Sequence, residues 1–99
     1  MQALTVQQTA EFVDWLDELK DKRAQLRIAA RLRLAETGSL GNWNSIDGAL
    51  SEMKVDVGPG YRLYFTRKAS VLIVMLTGGD KSSQTRDITR AKRILKELE

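Results

Sequence analysis

Apolar positions near the start of the chain recur at helical spacing. Thr9 has the side chain of a helix N-cap, and Phe12, Leu16 and Leu19 follow it at intervals of three and four residues. This pattern predicts a first helix from Ala10 to Lys20.

A second helical pattern runs up to Thr37-Gly38, where glycine is a natural C-cap, and Asp21 can cap its start. Its apolar members are Leu26, Ile28, Ala29, Ala30, Leu32, Leu34 and Ala35. Periodicity leaves open whether the two patterns form a helical hairpin or one kinked helix. Ahead of both, Ala3–Val6 has the composition of a short strand.

Strand-like alternation begins after a polar segment. Residues Ser39–Gly48 are rich in Gly, Asn, Ser and Asp, which predicts a loop with Trp43 and Ile46 as its anchors. The following strand has two faces, an apolar one with Met53, Val55 and Val57 and a polar one with Glu52, Lys54 and Asp56.

The chain has a single proline, and it lies between two glycines in Gly58-Pro59-Gly60. Proline fixes φ and glycine tolerates positive φ, so this segment predicts a tight turn. The strand that follows sends Tyr61, Leu63 and Phe65 to one face and Arg62, Tyr64 and Thr66 to the other. We therefore expect Lys54 and Arg62 to share one polar face with Asp56 and Tyr64.

A second turn at Arg67–Ser70 leads to the apolar run Val71–Leu76, which is typical of a strand buried on both faces. Gly78-Gly79-Asp80 is expected to end that strand, and Ser82 or Ser83 to cap a last helix. The apolar side of that helix consists of Ile88, Ala91, Leu95 and Leu98. The order of elements predicts an α+β domain: an N-terminal strand, a two-helix hairpin, a three-stranded antiparallel meander and a C-terminal helix, with the helices packed on the sheet.

The length and composition of the chain restrict its domain organisation and its possible chemistry. The chain of 99 residues is expected to form a single domain over 1–99, and 42% apolar residues are enough for a core. It contains neither cysteine nor histidine, which excludes disulfides and thiol nucleophiles and makes us expect no metal centre or cofactor. No apolar run approaches the length of a membrane span, and the N-terminus lacks a signal-peptide pattern, so we expect a cytoplasmic protein without a membrane partner.

Charge is distributed unevenly, although the net charge is only +3. Acidic residues dominate from Thr9 to Asp21, whereas basic residues dominate from Ser51 to Lys96. Such a distribution favours a polyanionic partner for the C-terminal half, and a purely solubilising role for these charges is the alternative.

Three groups of residues have chemistry that suits a phosphate backbone. The first is the polar face with Lys54, Arg62 and Tyr64, since Arg binds phosphate oxygens in a bidentate way and Lys supplies a mobile charge. The second is a stripe of arginines on the last helix at i, i+4 and i+7, formed by Arg86, Arg90 and Arg93. The third is Lys81, which projects from the glycine-rich turn GGDKSS. For each group the alternative is an ordinary solvated surface or a tight turn capped by Asp80 or Ser82.

The combination of this element order with GPGYRLYF and LTGGDKSSQTRDITRAK resembles the RelE/ParE toxin superfamily of type II toxin-antitoxin systems, in its HigB-like branch of addiction-module killer proteins. The resemblance covers nearly the whole chain. It implies a RelE-like fold and a small bacterial toxin that is neutralised by a cognate antitoxin, most often a DNA-binding protein of the helix-turn-helix type. It also implies a ribosome-associated mRNA endonuclease that inhibits translation through attack of the RNA 2′-hydroxyl on the adjacent phosphate.

The resemblance assigns roles to individual residues. Arg62 matches the arginine of the family's G-Y-R segment, which binds phosphate, and Lys54 resembles its lysine base or electrostatic stabiliser. No Tyr or His follows Tyr64, so Tyr64 or Lys81 replaces the family's C-terminal acid or base, unless ribosomal groups do so. The set expected to contact RNA consists of Arg67, Arg86, Arg90 and Arg93. Two other functions stay open: a ParE-like inhibitor of DNA gyrase without nuclease activity, and a non-toxic relic that only binds its antitoxin.

Overall fold

A computed structural model describes residues 3–98, in which five strands and three α-helices form three layers. The strands are β1 (Thr5–Gln8), β2 (Trp43–Asp47), β3 (Leu50–Val55), β4 (Tyr61–Lys68) and β5 (Leu72–Asp80). The helices are α1 (Ala10–Asp17), α2 (Lys22–Glu36) and α3 (Gln84–Leu98), with a single 3₁₀ turn at Lys81–Ser83 before α3. The sheet order is β1-β5-β4-β3-β2, with β1 parallel to β5 and the other neighbours antiparallel. The predicted α+β class is confirmed, and the order of elements is as predicted except that four antiparallel strands, β2–β5, replace the expected three.

The first two helices are separate because each has its own N-cap. The Thr9 hydroxyl accepts a hydrogen bond from the Phe12 amide at 3.1 Å, and the Asp21 carboxylate accepts one from the Ala24 amide at 3.2 Å. The hairpin is therefore the correct alternative of the two. α1 ends at Asp17, earlier than the predicted end at Lys20.

The sheet has an apolar core on each face. Helices α1 and α2 cover one face, where the buried strand residues are Met53, Val55, Tyr61, Leu63, Phe65, Ile73 and Met75. Helix α3 covers the other face, where they are Leu50, Tyr64, Val74 and Leu76. Both faces of the central strands are thus buried, which is why Val71–Leu76 reads as a continuous apolar run.

The segment predicted as a loop around Trp43 is in fact strand β2. It pairs antiparallel with β3 through a two-residue turn in which Gly48 has a φ of 54°. Trp43 does act as an anchor, with its ring 6.0 Å from that of Phe65. The Asn, Ser and Asp residues misled the prediction because β2 is an edge strand with one side open to solvent.

The N-terminal strand begins two residues later than predicted, at Thr5 instead of Ala3. Its four residues pair with Leu72–Met75 of β5 in parallel register. Gln7 and Gln8 carry no strand signal of their own, so the position of β1 is set by the neighbouring strand.

Strand β5 continues through the two glycines that were expected to end it. A Cβ on Gly78 would overlap the Trp15 ring, and a Cβ on Gly79 would overlap the Asp87 carboxylate. The glycines are therefore needed for close packing of a helix on each face of the strand. As a result β5 extends to Asp80 and delivers Lys81 to the end of the sheet where β3 and β4 are joined.

Candidate anion-binding site at the Gly58–Gly60 turn

The Gly58-Pro59-Gly60 turn sets the register of the two strands that build the site. Gly58 and Gly60 have φ angles of 56° and 86°, which non-glycine residues rarely adopt, and the Gly60 amide donates to the Val57 carbonyl at 3.0 Å. The resulting pairing places Lys54 directly opposite Arg62. The predicted proximity of these two side chains is confirmed.

Lys81 completes a group of three cations. Its amide donates to the carbonyl of Gly60 at 3.0 Å, which ties the end of β5 to the turn. Six residues line a hollow there: Lys54, Asp56, Gly60, Tyr61, Arg62 and Lys81. The hollow has a volume of about 70 Å³. This is room for a few water molecules, or for one group of phosphate size, and it is too small for a nucleoside.

Glu52 holds the Arg62 guanidinium. The Arg62 Nη1 atom lies 3.2 Å from Glu52 Oε1, and the exposed fractions of the two side chains are 16% and 6%. The sequence placed Glu52 correctly on the polar face of its strand but gave no sign that it would be buried. One carboxylate contact leaves most of the five guanidinium donors available to a ligand in the hollow.

Lys54 and Lys81 differ from Arg62 in being free of ion pairs. Within residues 3–98 neither ammonium forms a salt bridge, although the Asp56 carboxylate lines the same hollow. Around the hollow there are thus three cations and two carboxylates, Asp56 and Glu52, and Glu52 is already paired with Arg62. The local field favours an anion.

Arg31 supports the site from behind. Its guanidinium donates from Nη1 to the Lys54 carbonyl at 2.6 Å and from Nη2 to the carbonyls of Leu40 at 2.9 Å and Asn42 at 3.3 Å. Burial lowers the pKa of Arg31. Helix α2 and the segment before β2 are thereby fastened to β3 next to Lys54. In the sequence Arg31 looks like any other arginine of an amphipathic helix, so no local signal singles it out.

Tyr64 does not lie on the open face, and this part of the predicted site is wrong. The side chain is fully buried under α3, and its hydroxyl has no hydrogen-bond partner among the described residues. Burial, with the nearby carboxylates of Asp87 and Glu52, raises the pKa of Tyr64 to about 12. The alternation that places Tyr64 on the face of Arg62 is correct, but α3 covers that face at Tyr64.

Arg67 is also remote from the hollow. It is exposed and lies opposite Ile73, whose side chain belongs to the core under α1 and α2. It follows Arg62 by five strand residues, about 17 Å, and an odd spacing sends the two side chains to opposite faces of the sheet. The structure therefore does not join Arg67 to the other predicted RNA-binding residues.

The arginines of α3 form a row as predicted. Arg86, Arg90 and Arg93 line one surface groove together with Thr89. Arg90 Nε lies 3.5 Å from Glu11 Oε2, and both side chains are more than one third exposed. A partly exposed pair of this kind contributes about 0 to 1 kcal/mol, so Glu11 holds Arg90 only weakly, although the Glu11 Oε2 atom itself is buried without a hydrogen bond.

The N-terminal end of α3 is fixed by carboxylates. Asp80 accepts a hydrogen bond from the Ser82 amide at 2.8 Å, and together with the bond from the Ser82 hydroxyl this lowers the pKa of Asp80. Asp80 is the predicted capping residue of this turn, and its stabilised charge is already committed to Ser82. The Ser83 hydroxyl donates to the buried Asp87 carboxylate rather than capping the helix.

Neither a cluster of metal ligands nor a membrane-spanning helix occurs among the described residues. Residues 3–98 contain no group of three carboxylate, histidine or cysteine side chains that could hold a metal ion. Over the same residues no helix is long and apolar enough to cross a bilayer.

Comparison with known proteins identifies a relative of similar length. No family model matches the chain. A protein of Haemophilus influenzae (strain ATCC 51907 / DSM 11121 / KW20 / Rd), described as "Uncharacterized protein", is 38% identical over 95 residues, which is 96% of each chain. The chain belongs to the same family as this protein. The relative's description assigns it no activity, so the function has to be argued from the site.

Proposed function

We propose that this chain is the toxin of a bacterial type II toxin-antitoxin module, of the HigB-like branch of the RelE/ParE superfamily, and that it cleaves mRNA on the ribosome. The observation that supports this most is the convergence of Lys54, Arg62 and Lys81 on one hollow of phosphate size. The resemblance assigns phosphate binding to Arg62 and the role of base or electrostatic stabiliser to Lys54, and Lys81 is one of the residues expected to replace the family's C-terminal acid or base. The proposed partners are mRNA, the ribosome and a helix-turn-helix antitoxin, all in the cytoplasm.

The proposed reaction needs no histidine because the nucleophile belongs to the RNA. The 2′-oxygen bonds to the adjacent phosphorus, the bond from phosphorus to the 5′-oxygen breaks, and the 2′-proton is lost while the 5′-oxygen gains one. Arg62 binds the non-bridging oxygens, whose negative charge increases in the transition state. The ammonium groups of Lys54 and Lys81 can donate a proton to the 5′-oxygen, and the Asp56 carboxylate, which also lines the hollow, can accept one.

Tyr64 has no part in this mechanism because its hydroxyl is buried under α3. Of the two residues proposed to replace the family's C-terminal acid or base, Lys81 is the one that lines the hollow. Ribosomal groups remain the other source of proton transfer in the proposal.

The test uses Lys54→Gln and Lys81→Gln in preference to Arg62→Ala. Arg62 is paired with the buried Glu52, so its removal would leave an uncompensated carboxylate and impair folding. Both lysines are free of ion pairs with other described residues, so their loss should leave the melting temperature nearly unchanged. Arg67→Gln is the matched control, since it removes an exposed cation far from the hollow.

Each variant is expressed briefly in bacteria, and the 5′ ends of cellular mRNA are mapped. We expect new 5′ ends with the wild type and with Arg67→Gln, and their loss with Lys54→Gln and Lys81→Gln. Absence of new 5′ ends with the wild type would overturn the nuclease proposal. Gyrase-dependent DNA damage in that case would identify the ParE-like alternative, and normal growth would identify the relic.

A further inference from the structure

We propose that single-stranded RNA leaves the hollow on the Lys81 side and runs along α3, with its phosphates against Arg86, Arg90 and Arg93. This path rests on the proposed function, because it extends the site that would hold the cleaved phosphate. The path defines the direction in which the substrate continues beyond the hollow and the residues that bind it there.

The surface offers a continuous series of depressions in that direction. Lys81 lines both the site hollow and a second hollow formed by the 3₁₀ turn and the start of α3. Arg86 lines that second hollow and also the groove that contains Arg90 and Arg93. Because neighbouring depressions share a cation at each junction, a chain of phosphates can pass from one to the next without leaving a positive surface.

The opposite direction is unfavourable for a polyanion. On that side the hollow opens onto a depression lined by Asp56, Val57, the turn Gly58–Gly60 and Lys81. The Asp21 carboxylate approaches Gly58 from the start of α2, as shown by the 3.2 Å between its Oδ2 atom and an ideal Cβ position on that glycine. Two carboxylates and one cation, Lys81, thus flank this exit, whereas Lys81 and three arginines flank the other.

The cations of the proposed path are available to a ligand. Lys81, Arg86 and Arg93 are exposed and form no salt bridge with another described residue. Arg90 is held only by its exposed contact with Glu11. Three carboxylates lie near the path, fewer than its four cations: Asp80 and Asp87 accept hydrogen bonds from Ser82 and Ser83, and Glu11 pairs with Arg90.

The form of the path favours a single strand that is bound through its backbone. Arg86 and Arg93 are seven helical residues apart, about 10 Å along the axis, and form one row of side chains on α3. The residues that line the path past Lys81 include no aromatic side chain, so bases have no stacking platform there. We therefore expect little sequence preference along α3 and similar binding of single-stranded DNA and RNA.

The experiment measures binding of a fluorescent eight-nucleotide oligothymidylate, which lacks the 2′-hydroxyl and cannot be cleaved by the proposed route. Anisotropy titrations over a series of salt concentrations compare the wild type with Arg86→Gln, Arg93→Gln and the double variant. Each lost phosphate contact should reduce the salt slope by about 0.7, which corresponds to about a fivefold loss of affinity at 0.1 M salt. The double variant should lose about 25-fold, and Arg67→Gln should bind like the wild type.

Three outcomes would overturn the path: no binding of the oligonucleotide by the wild type at low salt, unchanged affinity and slope in the double variant, or an equal loss with Arg67→Gln. The second outcome is the one expected if the row instead serves an acidic protein. Failure of the proposed function is detected in a separate measurement, the mapping of mRNA 5′ ends. Cleavage with unchanged binding in the double variant rejects only the path, whereas the expected binding losses without cleavage reject only the nuclease.

Discussion

The buried hydroxyl of Tyr64 leads to a quantitative prediction for the variant Tyr64→Phe. The side chain is fully buried, and its hydroxyl lacks a hydrogen-bond partner among residues 3–98. A hydroxyl buried without a partner costs about 1 to 3 kcal/mol relative to water. Phenylalanine keeps the ring and removes the unpaired group, so we expect the free energy of unfolding to rise by about 1 kcal/mol.

The ring itself must stay, because it fills the core between the sheet and α3. Tyr64→Ala would leave a cavity and lower the free energy of unfolding by about 3 to 5 kcal/mol. The contrast between the two variants separates the contribution of the ring from that of the hydroxyl.

Urea unfolding followed by the fluorescence of Trp15 and Trp43 measures both effects. With an m value of about 1.5 kcal/mol per molar, a gain of 1 kcal/mol shifts the midpoint upward by about 0.7 M. Tyr61→Phe is the matched control, since the Tyr61 hydroxyl is not among the buried groups without a partner, and we expect a change of less than about 0.5 kcal/mol.

Two results would refute the reasoning about Tyr64. A loss of about 1 kcal/mol or more in Tyr64→Phe would mean that the hydroxyl makes a hydrogen bond in the folded protein. Loss of mRNA cleavage in a Tyr64→Phe protein that folds normally would mean that Tyr64 reaches the substrate after all.

Three further predictions concern the same region. Glu52→Ala leaves Arg62 without its carboxylate in a mostly buried position, so the free energy of unfolding, measured by urea titration, should fall by about 3 kcal/mol. A loss below about 1 kcal/mol would show that the Arg62 side chain turns into solvent in the variant. Gly79→Ala drives a methyl group into the Asp87 carboxylate and should lower the free energy of unfolding by about 1 to 3 kcal/mol. In a double-mutant cycle, Asp87→Ala should recover part of this loss. Strictly additive effects of the two substitutions would argue against the contact. Between pH 10 and about 12 the unfolded chain loses the Tyr64 proton before the folded chain does, because the pKa of Tyr64 is raised in the folded protein. The stability of the wild type should therefore fall as the pH rises, and that of Tyr64→Phe should fall less. Thermal melts across this range measure the difference, and identical pH profiles would contradict the raised pKa.

The sequence predicted the parts of the site that depend on local geometry. The period of two in the strands, together with the fixed turn at Gly58-Pro59-Gly60, was sufficient to place Lys54 beside Arg62. The helical period and the caps at Thr9 and Asp21 likewise predicted the two helical segments and their first residues. These features could be predicted because each depends on residues only a few positions apart.

The parts that were wrong depend on contacts between distant segments. Periodicity placed Tyr64 on the face of Arg62, but only the packing of α3 determines that this face is closed over Tyr64 and open at Arg62. In the same way, Glu52 became buried through the covering helix, and the polar residues after Trp43 became a strand through pairing with β3.

The sequence by itself therefore determined the fold class and which residues share a face of the sheet. The tertiary structure decided which positions on that face stay accessible, and so reduced the candidate site to Lys54, Arg62 and Lys81 at the end of the sheet. The physical reason is that the orientation of a side chain follows from its own backbone, whereas its exposure depends on whichever element packs over it.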